Sequence, residues 1–127
     1  MQYIIESSKT IETLCKDLES NIAEYGFGVL HIHNLEETMS KKGLVLGEAC
    51  KIYEICNPKL AKEVLSKDMD MNMLLPCRIS VYTDKGITKI GMISPVSLMQ
   101  ESSHAKELLA VTQVVEEKTK AIIDCSK

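Results

Sequence analysis

Hydrophobic residues recur along this chain at two different spacings, and the spacing separates predicted helices from predicted strands. Residues 2–7 form a first strand-like run. Apolar residues then return every three or four positions, which places them on one face of a helix that Gly26 ends. The members of this face are Ile11, Leu14, Cys15, Leu18 and Ile22.

Four later segments have the composition and alternation of strands. They are residues 27–33, 51–56, 74–82 and 87–93. The last two are joined by Thr-Asp-Lys-Gly at 83–86, where the glycine can adopt the positive φ that a hairpin turn needs. We therefore predict five strands, the last two of which form a hairpin.

Two asparagines mark helix starts between these strands. Asn34 is followed three residues later by Glu37, which resembles a capping box and predicts a short helix that Gly43 ends. Asn57 precedes Pro58. An asparagine side chain can accept hydrogen bonds from the free N–H groups of a helix start, and proline suits the first helical position because an N–H there would have no partner within the helix. A loop is predicted after Pro95, followed by a long final helix over about 103–124.

The order of the elements is β-α-β-(short α)-β-α-β-β-α. A chain that ends in a hairpin and a long helix favours an α+β fold with a largely antiparallel sheet and helices on one face. A doubly wound parallel sheet is the weaker alternative, because the β-α-β alternation stops after the third strand. With 127 residues and 45% hydrophobic content, the chain is predicted to form one domain over residues 1–127.

Composition narrows the classes of partner. The formal net charge is −3, and no block of Lys and Arg offers a surface for nucleic acid. No run approaches the roughly 18 apolar residues that span a bilayer, and the N-terminus lacks the pattern of a secretory signal. Five cysteines at irregular spacing indicate reduced thiols. We expect a soluble, cytoplasmic protein without a nucleic-acid or membrane partner.

Three short motifs, in order, resemble the family catalogued as domain of unknown function 302. They are Phe27-Gly28-Val29-Leu30, Cys56-Asn57-Pro58-Lys59-Leu60-Ala61 and Leu74-Leu75-Pro76-Cys77-Arg78. The resemblance covers nearly the whole chain and implies a fold similar to that of the TATA-binding protein, a curved antiparallel sheet with a long C-terminal helix. The family brings no established activity, so it supplies no catalytic residues. The stretch Met92-Ile93-Ser94-Pro95 fits the family only loosely.

Cys56 and Cys77 are the candidate reactive thiols. Cys56 lies one residue before a helix cap, where free N–H groups and the helix dipole favour a thiolate. The alternative is that Cys56 is a small buried apolar residue. Cys77 shares an alternating apolar row with Ile79 and Val81, so core packing is the favoured interpretation. The preceding Pro76 predicts an edge position or a bulge for this strand.

His31 and His33 are two residues apart on a strand, so both rings face the same side. With Cys56 or Cys77 they would form a zinc- or copper-compatible set. The favoured interpretation is instead that both rings lie on the polar face of the sheet, with Leu30 and Ile32 directed inward. We expect no metal and no cofactor.

No phosphate-binding glycine loop, nucleophile elbow or Ser-His-Asp set is present in the sequence. The first hypothesis is therefore a module that binds a small molecule or a partner without catalysis. Its candidate ligand contacts are His31, His33, Asn57, Arg78 and Tyr82. The second hypothesis is a thiol-dependent redox or sulfur-handling activity at Cys56, with Cys77 as its partner, and the third is a His/Cys metal protein. Self-association as a homodimer is also expected, through a sheet edge near Pro76 or through the long helix.

Overall fold

The computed structural model describes all residues, 1–127, and contains one open sheet of five antiparallel strands in the order β1-β5-β4-β3-β2. The strands are β1 Gln2–Ser7, β2 Gly28–Asn34, β3 Cys50–Cys56, β4 Cys77–Asp84 and β5 Ile87–Ile93. The helices are α1 Ile11–Glu24, α2 Leu35–Ser40, α3 Pro58–Lys67, α4 Pro95–Met99 and α5 Ala105–Ser126, with a 3-10 helix at Met69–Met73. The predicted α+β class, with its antiparallel sheet and long C-terminal helix, is confirmed.

Side-chain caps start the helices at the predicted asparagines. The Asn34 side chain accepts the Glu37 N–H at 3.0 Å, and the Asn57 side chain accepts the Leu60 N–H at 3.2 Å. The loop expected after Pro95 is wrong, because α4 begins there. Ser94 caps it by accepting the Ser97 N–H, and the proline sits in the first turn, where its missing donor costs nothing.

The strand that follows the Leu-Leu-Pro sequence begins later than predicted. It starts at Cys77 rather than at residue 74, and it lies between β3 and β5 inside the sheet. The expectation of an edge strand or a bulge at Pro76 is therefore wrong. The proline precedes the first paired residue, so its lack of an N–H removes no hydrogen bond from the sheet. The predicted alternation is confirmed: Ile79 and Val81 are buried, whereas Arg78 is exposed on the opposite face.

One face of the sheet is covered by α1 and α5, which together enclose the main core. Buried residues of α1 and α5, such as Leu18 and Ile122, pack against the central strands at Tyr53, Ile55 and Ile79. A smaller core joins α3, the 3-10 helix, α4 and α5. The opposite face of the sheet has no such cover, and Ile4 of β1 and Ile93 of β5 on it are about half exposed. No helix combines the length and the apolar character needed to cross a membrane.

The outer strand β2 departs from the inward–outward pattern that the sequence suggested. Ile32 is opposite the buried Tyr53, so it faces the covered side as predicted, although at the sheet edge it is 38% exposed. Leu30 is 61% exposed, so the expectation that it points inward is wrong. β2 is an edge strand, and its register with β3 shifts between Val29 and His31, which leaves Leu30 in an irregular position.

Candidate functional site

The register of the sheet brings three strands of the uncovered face together at one place. His31 on β2 is opposite Glu54 on β3, and Glu54 is opposite Arg78 on β4. In the next row, His33 is opposite Ile52, which is opposite Ser80. Directly opposed residues point to the same side of a sheet. The two histidines and the arginine predicted from the sequence therefore share one face.

Glu54 joins these side chains. Its Oε1 lies 2.8 Å from His33 Nε2, and its Oε2 lies 3.5 Å from a terminal nitrogen of Arg78. The His31 and His33 rings meet edge to face, with centroids 4.4 Å apart. The hydrogen bond from His33 holds the pKa of the Glu54 carboxyl below its ordinary value, although partial desolvation acts against it.

Sequence reasoning missed Glu54. The available signal was the alternation of Lys51–Cys56, which places Glu54 on the opposite face of the strand from the buried Tyr53 and Ile55. Only the pairing register shows that it stands between His31 and Arg78. The carboxylate is thus the centre of the cluster, although neither neighbour in the chain suggests a function for it.

The uncovered face also forms one wall of a cleft of about 510 Å³, here called the sheet cleft. It extends past the ends of β4 and β5 to the 3-10 helix and α4. Of its 18 lining residues 11 are hydrophobic, so its walls are mainly apolar; they include Ile4, Ile52, Met73, Leu75, Ile93 and Leu98. Of the predicted ligand contacts, Arg78 and Tyr82 line the sheet cleft, whereas His31, His33 and Asn57 lie outside it.

The two candidate thiols line a second, smaller cavity. Cys56 and Cys77 border an apolar space of about 30 Å³, which has room for about one water molecule. Burial raises the pKa of the Cys77 thiol to about 11, and the nearby Cys56 adds to the shift. Cys77 is therefore a neutral thiol at physiological pH. Asn57 borders the same space, but its side-chain oxygen is engaged in capping α3.

The structure gives the metal hypothesis no support. No group of three or more His, Cys, Asp or Glu side chains is arranged to hold a metal ion. His33 is engaged with Glu54, and both thiols border the small cavity, which no histidine lines. The histidines and cysteines that the hypothesis combined are therefore not brought to one site.

A cluster of Asp68, Ser102 and His104 lies at the junction of the 3-10 helix with the start of α5. The Ser102 hydroxyl donates to Asp68 Oδ2, and His104 Nδ1 lies 3.4 Å from the same oxygen. The Ser103 hydroxyl also contacts Nδ1, at 3.3 Å. A hydrolytic relay needs serine and aspartate on opposite ring nitrogens. The cluster is therefore a tether between elements rather than a nucleophile site.

Comparisons with known proteins agree with the motifs quoted above. Residues 3–125 match the family model described as "Domain of unknown function DUF302". The crystal structure of an uncharacterized conserved DUF302 protein from Bacillus stearothermophilus superposes with a TM-score of 0.90 at 31% sequence identity, covering 99% of this chain and 98% of that one. No curated protein matches the chain. The family match and the structural match together show that the chain belongs to the DUF302 family.

Proposed function

We propose that this chain is a binding module without catalysis, and that it holds a small, largely apolar molecule in the sheet cleft. The observation that carries the proposal is the cleft itself, about 510 Å³ in volume with mainly apolar walls. Ligand sites in proteins commonly measure about 300–1,000 Å³ and combine apolar walls with a few polar groups. The cleft meets both criteria.

The polar groups of the sheet cleft are few, and besides Thr119 of α5 they come from two strands that β5 separates. Arg78, Ser80 and Tyr82 project from β4, and Gln2, which is opposite Ile93 of β5, projects from β1. In such a site the apolar wall supplies most of the affinity, and the polar groups fix the orientation of the ligand. We therefore retain Arg78 and Tyr82 as ligand contacts. His31 and His33 act from outside the cleft through Glu54, and Asn57 serves as a helix cap.

Filling the cleft tests the proposal. Ser80 is half-buried on the floor of the sheet cleft between Ile52 and Gly91, so Ser80→Phe places a ring in the ligand space without entering the core. Ser66→Phe is the matched control, because it adds the same ring to an exposed position of α3 outside the cleft. A library of small apolar compounds is screened by thermal melting against the wild type and both variants.

The expected result is a set of compounds that raise the melting temperature of the wild type and of Ser66→Phe but not of Ser80→Phe, because ligand binding stabilises the folded state only where the ligand fits. Compounds that stabilise all three proteins equally would place binding elsewhere and refute the proposal. A library without any stabilising compound would also count against it.

A thiol-dependent redox or sulfur-handling activity is the second candidate. It is favoured by the position of Cys56, which borders the same cavity as Cys77 and lies directly before the capped start of α3. The test is the rate of alkylation by iodoacetamide at pH 7. If Cys56 carries the activity, it reacts faster than the exposed Cys125, and a slower reaction rejects this candidate.

We further propose that the chain forms a homodimer in a reducing, cytoplasmic compartment. The support for self-association is the outer edge of β2, where Val29, Leu30 and Ile32 are exposed beside an unpaired strand edge. This edge replaces the one sought near Pro76. Light scattering at rising protein concentration should give twice the mass of one chain, and a monomer throughout would refute the dimer.

A further inference from the structure

Three polar side chains in a row on β4 make no hydrogen bond within the protein. Arg78, Ser80 and Tyr82 alternate along one side of the strand, and none of their polar side-chain atoms has a hydrogen-bond partner in the chain. No buried side-chain nitrogen or oxygen in the protein lacks a partner, so these atoms are accessible in the sheet cleft. Their hydrogen-bonding capacity is available to a bound molecule.

Arg78 is the strongest of these groups. It is the only charged residue among those that line the sheet cleft. Its nearest carboxylate oxygen, Oε2 of Glu54, lies at 3.5 Å, which is longer than the 2.7–3.2 Å of an ordinary N–H···O bond. The other oxygen of Glu54 is engaged with His33 at 2.8 Å. The guanidinium thus forms only a loose ion pair with Glu54, and most of its N–H donors stay available.

We infer that the ligand of the sheet cleft is an organic monocarboxylate with an apolar body, and that its carboxylate binds Arg78. This inference rests on the proposed function and names the chemistry of the ligand. The guanidinium fork matches a carboxylate with two parallel hydrogen bonds. One positive charge balances one negative charge, whereas a doubly charged phosphate head would lack a second cation in this cleft.

The apolar body has a defined place beside the arginine. Ile52 lies on the strand next to Arg78, and Ile93 and Leu98 line the same cleft. Tyr82 is four residues further along β4, about 13 Å from Arg78 at the usual rise of a strand. An extended molecule can therefore place its carboxylate at Arg78 and run along the apolar floor toward Tyr82.

Glu54 competes with such a ligand for the arginine. Its negative charge lies close to the guanidinium and would repel an incoming carboxylate, so the His33 hydrogen bond that draws Glu54 toward β2 favours binding. Glu54→Gln removes the charge and keeps the shape. It should tighten carboxylate binding by about fivefold, the size expected for one charge near a solvated surface.

The experiment compares three probes that share one apolar tail: octanoate, octanol and octylamine. Each is titrated calorimetrically into the wild-type protein and into Arg78→Gln, Arg78→Lys and Glu54→Gln. Octanoate should bind the wild type roughly tenfold more tightly than octanol, as a charge-assisted hydrogen bond predicts, and octylamine should bind least. Arg78→Gln should make octanoate and octanol equal, and Arg78→Lys should restore only part of the preference.

The controls separate this inference from the proposed function. Arg78 is 65% exposed, so its substitution should leave the fold intact, which circular dichroism checks. Glu54→Gln should tighten octanoate alone. Equal affinity of octanoate and octanol for the wild type would overturn the carboxylate inference and leave the apolar cleft as a binding site. If none of the three probes binds while screened compounds still respond to Ser80→Phe, the inference fails and the proposed function stands.

Discussion

At the scale of single residues, the two cysteines that the motifs presented as a pair are both half-buried, but they have different surroundings. Cys77 extends the apolar row of Ile79 and Val81, packs against the main core, and has its thiol pKa raised by partial desolvation. Cys56 lies at the end of β3, one residue before the cap of α3. The sequence predicted the core role of Cys77 because alternation along a strand is a local property. It could not predict that both thiols would border one cavity.

The raised pKa of Cys77 predicts slow alkylation. With a pKa of about 11, about one Cys77 in a thousand is a thiolate at pH 8, whereas an ordinary thiol is about a quarter ionised. Labelling with iodoacetamide at pH 8, followed by peptide mass spectrometry, should show Cys77 reacting at least roughly a hundredfold more slowly than the exposed Cys125. Comparable rates in the folded protein would show that the thiol is not buried as described.

At the scale of secondary-structure elements, local signals were reliable where one side chain decides the outcome. Asn34 and Asn57 start helices because each carboxamide oxygen reaches an N–H three residues ahead, which is a short-range interaction. The signals failed where the outcome depends on neighbouring strands. Pro76 did not mark an edge and Leu30 did not point inward, because the position of a strand within the sheet is set by long-range pairing.

The cap of α3 can be tested by removing its acceptor. Asn57→Ala leaves the Leu60 N–H without its side-chain partner, so the free energy of unfolding should fall by about 1 kcal/mol. Asn57→Asp is the control, because a carboxylate still accepts the hydrogen bond and suits the positive end of the helix dipole. Urea titration measures both. If Asn57→Ala were as stable as the wild type, the capping role would be refuted and a ligand role for Asn57 would regain interest.

At the scale of the whole molecule, the candidate site depends on register rather than on any motif. His31, Glu54 and Arg78 come from three strands, and only the antiparallel pairing places them in one row. The sequence supplied the facing of His31 and of Arg78 separately. It could not predict that Glu54 lies between them, nor that a cleft with an apolar floor exists. The cleft forms where residues distant in sequence, such as Ile4 and Leu98, border the same space.

The tether between the 3-10 helix and the start of α5 predicts a dependence of global stability on pH. The hydrogen bond from the Ser102 hydroxyl is the largest of the effects that lower the pKa of Asp68. The Asp70 N–H and His104 lower this pKa further, and partial desolvation acts against them. Since the folded state binds this proton less readily than the unfolded state, the contribution to stability is complete above the unfolded pKa of about 3.9 and is lost as pH falls through the folded pKa. Asp68→Asn should therefore be less stable than the wild type at pH 7.

The difference between the two proteins should shrink as the pH falls below about 4, because protonation removes from the wild type the charge that the variant lacks at every pH. Urea midpoints measured from pH 7 to pH 3 give this comparison directly. Asp70→Asn is the matched control: it removes the same charge two residues away, from an exposed side chain that makes no hydrogen bond or ion pair, and should leave the pH profile of the wild type unchanged. A constant difference between Asp68→Asn and the wild type at every pH would mean that the carboxylate charge of Asp68 does not hold the tether.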